Sequence, residues 1–465
     1  MQAQRELSLD EALALAIENS ETITIARAGV QRAEANVRLL ESQRLPQING
    51  SASYQRTLAS QFSGLTAPGG GDSGGEESPG VDFTQFGFGA PNTWNLGVNF
   101  NWLLFNGGRT EAQIRAAQTQ VEAAEAQLAS AEAQTRLDVT QAYFDAQLAA
   151  ELVHISQMSL ENSEETLRLT QLRANAGTQA EFDVLQARVG RDNQRPLLIQ
   201  RETSRDLAFE RLRTLLDLPS TERLTLTTPV TSARPRDITP SNLDRIPVQQ
   251  AGTRLIAARE QVDAARAQRW PALSVTSQYG LVAYSANFFP PLDSFRDNWV
   301  VGAAVSVPIY TGGRIGAEID LARAGVTEAQ AQLDQTVEAS RLDTESALAA
   351  LRSAEATWQA TASTVAEAER GYEIAKLRYR EGVSIQLEIE NARLLLEQAR
   401  ANRAQAARDL WIAQTRLELL PYLPFGTSTG AMTTFSTTSA TSAITAAPTG
   451  ASTFSGANTG GFPQQ

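Results

Sequence analysis

The sequence predicts an α+β chain in which four membrane strands are continued by long antiparallel coiled-coil helices, with the whole plan present twice. Three observations predict it. A long segment recurs at a fixed displacement without a gap. Strands in both copies alternate apolar and polar residues and carry tryptophan at their edges. After each strand pair, a heptad pattern runs on for far longer than a globular helix needs.

The repeat orders everything else. Trp94 aligns with Trp299, a displacement of 205 residues, and the same step carries Gly97 to Gly302 and Gly107-Gly108-Arg109 to Gly312-Gly313-Arg314. It also carries Gly177 to Gly382 and Pro219 to Pro424, with no gap between residues 94 and 219. Upstream the step is 225: Gln43-Arg44-Leu45-Pro46 aligns with Gln268-Arg269-Trp270-Pro271, and Tyr54 with Tyr279. The difference falls in a Gly- and Pro-rich loop, 64–91, that lengthens the first copy. The repeats therefore span 7–219 and 248–424, joined by a Pro-rich linker at 220–247. The Gly/Ser/Thr/Ala-rich tail, 425–465, is expected to be disordered.

The strands come next. Trp94, Leu96, Val98, Phe100, Trp102 and Leu104 share one face, and Asn95, Gly97, Asn99 and Asn101 the other. The second copy repeats this with Trp299, Val301, Ala303, Val305, Val307 and Ile309. Weaker alternation follows Pro46 and Pro271, so hairpins are expected at about 47–105 and 272–310. A wettable face, an apolar face edged by Trp, and a length of roughly 9–11 residues fit tilted membrane strands better than a soluble sandwich. Sheet edges cannot face lipid unpaired, and single-chain bacterial barrels use about eight strands or more. Four strands cannot close alone, so several chains must share the barrel.

In the helices, Ile114, Val121 and Leu128 alternate with Ala117, Ala124 and Ala131 at heptad spacing, a seam of large and small residues. Helices are expected over 110–175 and 315–380, each about 100 Å at ~1.5 Å per residue. Gly177 and Gly382 suit left-handed stops. Thr178 to Glu181 reads as a capping box opening the first return helix, and Ser384 as the cap of the second.

Composition narrows the chemistry. Cysteine is absent, His154 is the only histidine, and the formal charge of −12 disfavours nucleic acid as a partner. No nucleophile–base pair or phosphate loop stands out, so no enzymatic activity, cofactor or metal is expected. No stretch approaches the roughly 20 apolar residues of a spanning helix. Met1 to Glu6 lacks the layout of a secretory signal, which suits a mature form with an added Met.

The chain resembles the TolC-like outer-membrane efflux family. The resemblance rests on the LSLDEALALA segment from Leu7, the Gln-Arg-x-Pro before each first strand, and the Gly-Gly-Arg entering each long helix. Most specific are the turns, Leu172 to Ala187 (LRANAGTQAEFDVLQA) and Leu377 to Ala392 (LRYREGVSIQLEIENA). It implies a homotrimer with a twelve-stranded barrel in the outer membrane and an α-helical tunnel in the periplasm. Such a duct passively carries small molecules or proteins delivered by an inner-membrane pump through a periplasmic adaptor protein. It also implies a periplasmic gate at Asp183, Glu388, Asn391 and Tyr379, with Asn391 standing where the family often has a second Asp. The basic partner of the family's closed-state latch falls on Ser384, so an arginine lock is not expected there. The adaptor-contact tip falls on Gly177, Thr178, Gly382, Val383 and Ser384, and an aromatic belt in the lipid on Trp94, Trp102 and Trp299. Asp72, Glu76, Glu77 and Asp82 read as a solvated loop. A trimeric, membrane-anchored coiled-coil adhesin is the competing class, and the dispersed, duplicated hairpins speak against it.

Overall fold

The computed structural model describes residues 4–59, 90–236, 245–285 and 287–425. Most of the long loop at 64–91, with its four acidic residues, and nearly all of the tail lie outside them. Seven α-helices and six strands are described: β1 (Gln4–Leu7), α1 (Leu9–Asn19), α2 (Glu21–Ser42), β2 (Gln47–Arg56), β3 (Asn92–Phe105), α3 (Arg109–Asn175) and α4 (Glu181–Leu215). Then follow β4 (Arg223–Leu226), α5 (Ile246–Ala267), β5 (Ala272–Ser285), β6 (Arg296–Ser306), α6 (Arg314–Arg380) and α7 (Gln386–Leu419).

Both copies build the same hairpins residue for residue. Gln47 faces Asn101 and Arg56 faces Asn92 in the first; the displaced pairs, Ala272 with Ser306 and Leu281 with Asp297, face each other in the second. The four strands form one antiparallel sheet in the order β2-β3-β5-β6. Paired residues point to the same side, so one face collects Tyr54, Trp94, Leu96, Val98, Leu281, Tyr279 and Trp299, while the other collects Asn49, Ser51, Asn99, Gln278 and Thr276. The second hairpin stops at Ser306, short of the expected 310. Pro308 offers no N–H to the ladder, and Ile309 is left exposed in spite of its place in the alternation.

The long helices are as the heptads predict, 67 residues each. Each is flanked twice, because no single partner covers its length. Next to the sheet the helices pack in the order α2-α3-α5-α6, and toward the turns in the order α4-α3-α7-α6. At both levels, as in the sheet, the outer edges belong to the first copy on one side and to α6 or β6 on the other.

Midway along the long helices sits the main core. The 220–247 linker is less free than its prolines suggest: β4 pairs in parallel with β1, and Val230 and Ala233 are buried. Tyr143, fully buried, donates from its hydroxyl to the Leu7 carbonyl (3.0 Å) and accepts from the Thr228 N–H (2.9 Å). Phe144 stacks on Trp411 at 4.7 Å between ring centres. Arg245, also fully buried, donates to Asp343 (2.8 Å) and to the Ser340 carbonyl (3.2 Å), and Arg416 reaches the same carboxylate at 3.2 Å.

Candidate functional site

The two hairpin tips are built by the same backbone device. Gly177 and Gly382 hold φ of +73° and +76°, where a side chain would be strained. At each, a full Schellman motif closes the long helix: Gly177 and Thr178 donate to the Ala174 and Arg173 carbonyls, and Gly382 and Val383 to those of Tyr379 and Arg378. This corrects the capping expectation. Thr178 is consumed by the Schellman turn, and its hydroxyl donates to the Arg173 carbonyl at 3.1 Å instead of capping α4. The return helices begin after Ala180 and Ile385 with no side-chain cap. Ser384 caps nothing, and its Oγ is buried without a hydrogen-bond partner. Gly177, Thr178, Gly382 and Val383 are exposed at the turns, Ser384 only half so.

The carboxylates expected at the gate lie in the first turn of the return helices. Asp183 is half-buried and accepts from Gln179 Nε2 at 2.8 Å. Glu388 pairs with Arg378 at 2.9 Å, both partly exposed. The two return helices meet here: with its oxygen turned toward Ala187, the Gln386 amide donates to the Asp183 main-chain carbonyl (2.8 Å) and accepts from the Ala187 N–H (2.9 Å). Asn391 is exposed and sits apart from these contacts.

Tyr379 is the most enclosed of the expected gate residues, with no exposed surface. Its hydroxyl lies 2.6 Å from that of Thr170 on α3. Thr170 already commits its proton to the Thr166 carbonyl (2.8 Å), so the phenol is the donor. Arg173 lies over the Tyr379 ring at 4.8 Å and donates to the carbonyls of Tyr379 and Arg380. One turn back, Glu165 takes Lys376 at 2.8 Å and Arg380 at 2.5 Å. The hydrogen bond from Lys376, backed by Arg380, holds the Glu165 carboxyl below its ordinary 4.5 against the opposing effect of burial. Burial, reinforced by the Glu165 charge, pushes the Tyr372 phenol up to about 12. A basic partner for the tyrosine does exist, but it comes from the first hairpin as Arg173 and not from position 384. The residues that sequence reasoning missed, Thr170, Arg173, Glu165 and Arg380, tie α3 to α6. A signal was present: displaced by 205, Tyr379, Arg380 and Lys376 meet Ala174, Asn175 and Gln171, so the copies differ just where the contact is one-sided.

At the other end, aromatic residues edge the sheet. Trp94 packs with Tyr54 (4.8 Å) and Phe288 (6.0 Å) at the loop end, its indole N–H donating to the Phe288 carbonyl at 3.0 Å. Trp102 donates to the Arg44 carbonyl (2.8 Å) at the helix end. Eight residues separate them, roughly 27 Å along a strand at ~3.3–3.4 Å per residue. Trp299 lies further into the sheet in hydrogen-bond register: it faces Tyr279, which faces Val98, four residues from Trp94. Among the described residues, no helix is long and apolar enough to cross a membrane and no group of three or more acidic or His side chains is placed to hold a metal ion.

Compared with known proteins, the sequence matches the family described as outer membrane efflux protein over residues 12–217 and 244–420, one stretch for each copy. It is 26% identical to the solvent efflux pump outer membrane protein SrpC of Pseudomonas putida over 396 residues, 83% of this chain and 79% of that one. It is 28% identical to the pyoverdine export outer membrane protein OpmQ of Pseudomonas aeruginosa over 422 residues, 87% and 84% of the two chains. Its fold superposes on the Campylobacter jejuni CmeC outer membrane channel with a TM-score of 0.73 at 19% identity, covering 90% of this chain and 86% of that one.

Proposed function

Because the chain belongs to the outer membrane efflux protein family, we propose that it forms the outer-membrane exit duct of a tripartite efflux pump or type I secretion system. Three copies complete a twelve-stranded barrel, and their helices form a tunnel in the periplasm. The observation that carries this reading is the open four-stranded sheet, apolar on one face and polar on the other, whose two edge strands β2 and β6 lack a neighbour among the described residues. Lipid-exposed edges are not tolerated, so the sheet closes only with further copies. The polar face then lines a lumen of Asn, Ser, Gln and Thr, which binds nothing tightly and suits a conduit. The substrate is chosen upstream, by an inner-membrane pump reached through a periplasmic adaptor that docks at the exposed turns around Gly177 and Gly382.

The periplasmic end is the gate. Tyr379, Thr170, Arg173 and Glu165 hold the second hairpin against α3, and the carboxylates of Asp183 and Glu388, each in the first turn of its return helix, give the mouth a cation preference. Reconstitution in planar bilayers tests both parts. Discrete cation-selective current steps are expected, and Glu388→Ala should shift the reversal potential toward zero. A chain that inserts and never conducts would count against the duct, and an unmoved reversal potential against Glu388 as part of the filter.

A further inference from the structure

Gln386, the first residue of α7, is 5% exposed, and its amide finds its partners on the other hairpin. It lies between the Asp183 carbonyl and the Ala187 N–H of α4, at 2.8 and 2.9 Å. Those two groups, four residues apart, are the two ends of one rung in the helix's own hydrogen-bond ladder. A primary amide presents a donor and an acceptor side by side, as a peptide does, so it serves both ends of that rung at once. A glutamate would turn a second acceptor to the carbonyl, and a leucine would offer neither bond.

α4 is shaped for this approach. Gly190 gives Glu390 of α7 room against the α4 backbone, where a Cβ would lie 3.0 Å from the Glu390 carboxylate oxygen. Pro196 leaves the Asp192 carbonyl without its helical donor, so α4 bends most readily between its turn end and the main core that holds Leu212. The second copy keeps none of this. Displaced by 205, Gly190 and Pro196 become Leu395 and Ala401, both good helix formers, and the equivalent of Gln386 is the exposed Glu181. The copies thus differ at all three positions, as they do at Tyr379.

We propose that Gln386 is a second catch of the gate, holding the return helices α4 and α7 together in the closed state independently of the α3–α6 contact at Tyr379. This rests on the gate reading and adds a positioning residue to it. Tyr379 fastens the outgoing arm of the second hairpin and Gln386 its returning arm. Both bonds of the amide go to main chain and carry no charge, so the catch leaves the cation preference to Asp183 and Glu388.

Single-channel recording of the full-length protein in planar bilayers tests it. Gln386→Leu keeps the size of the side chain and removes both bonds. Its open fraction should rise about fivefold or more at unchanged cation preference, and the rise should multiply with that of Tyr379→Phe when the two are combined. Gln386→Glu separates a catch from mere packing. At neutral pH its carboxylate faces the Asp183 carbonyl and should open the mouth as leucine does. Burial and that carbonyl raise the carboxyl, and the acids that flank it, Asp183 on α4 and Glu390 a turn further along α7, push the same way. The bases opposite, Arg378 of α6 and Arg173 of α3, are committed to Glu388 and to main-chain carbonyls. Once protonated, the carboxyl again offers one donor and one acceptor. The contact is therefore present below the raised value and lost as pH rises through it. Openings of this variant should decline as pH is lowered from about 7 toward about 5, while the leucine variant stays open. Native-like dwell times in Gln386→Leu, beside a Tyr379→Phe that opens, overturn the second catch and leave the gate in place. If neither variant opens, the gate reading fails and the catch with it. A Gln386→Glu variant equally open at both pH values makes the residue a packing element and overturns the assignment.

Discussion

The middle of the chain and its turn-bearing end are both tied together by arginine, yet the two regions are built for opposite ends. In the middle, Arg245 is stripped of water and held by a carboxylate and a main-chain carbonyl, beside Tyr143 and a Phe144–Trp411 stack. At the end, Arg380 and Arg378 sit at the surface with Lys376 half-buried, and their carboxylate partners, Glu165 and Glu388, keep contact with water. A buried ion pair is costly to break and cannot be exchanged for solvent, whereas an exposed one is worth little and re-forms elsewhere. The first arrangement fixes helices; in the duct proposed above, the second is the one that would let them part. In the second region Tyr379 and its partner Thr170 are as enclosed as the central residues, which makes them the catch of the proposed latch and not merely one more pair.

The contrast can be broken most forcefully at Asp343. Asp343→Ala leaves Arg245 charged and buried without its counter-ion and should cost about 3–5 kcal/mol, read as a lower denaturation midpoint. A loss below about 1 kcal/mol would mean that the central pair is no firmer than those at the end. Tyr379→Phe removes one buried hydrogen bond to Thr170 and should weaken the latch by about 1 kcal/mol, raising the open fraction several-fold while the unfolding midpoint barely moves. If unfolding and opening shift together, Tyr379 belongs to the core. Acid offers a graded version. Glu165 has its carboxyl lowered below 4.5 by Lys376 and Arg380, so the stabilisation is complete above that value and is lost as pH falls through the lowered folded value. Opening should therefore rise on acidification below about pH 4.5, and Glu165→Gln should abolish that rise. The smallest change is expected at Glu388→Ala. Its pair with Arg378 is half-exposed and should contribute well under about 1 kcal/mol, so selectivity changes without a stability change.

Much of the fold was legible because repetition writes itself into sequence. The displacement of 205 located both long helices to within a residue, and the period-2 pattern located three of the four strand ends nearest the helices. What stayed hidden was hidden for physical reasons. The register between copies depends on strand stagger, which no local period encodes. The ends of the return helices were misjudged because Thr178 is a good capping residue in isolation, and the Schellman turn that claims it is decided by Gly177. The proposed latch joins residues more than 200 positions apart: the resemblance pointed to Tyr379, but its partners on α3 were hinted at only by the mismatch of Tyr379 with Ala174 under the repeat. The short parallel pair β1–β4 escaped notice because four residues carry too little pattern.

The central claim is a conduit closed at its turn-bearing end by breakable contacts. Its most direct test is single-channel recording of the reconstituted protein beside the Arg173→Ala, Tyr379→Phe double variant. The account predicts brief or small conducting steps for the native chain and long-lived, larger steps for the variant, with the same cation preference. Identical step size and dwell time in the two, from protein shown to be oligomeric in the same bilayer, would contradict it.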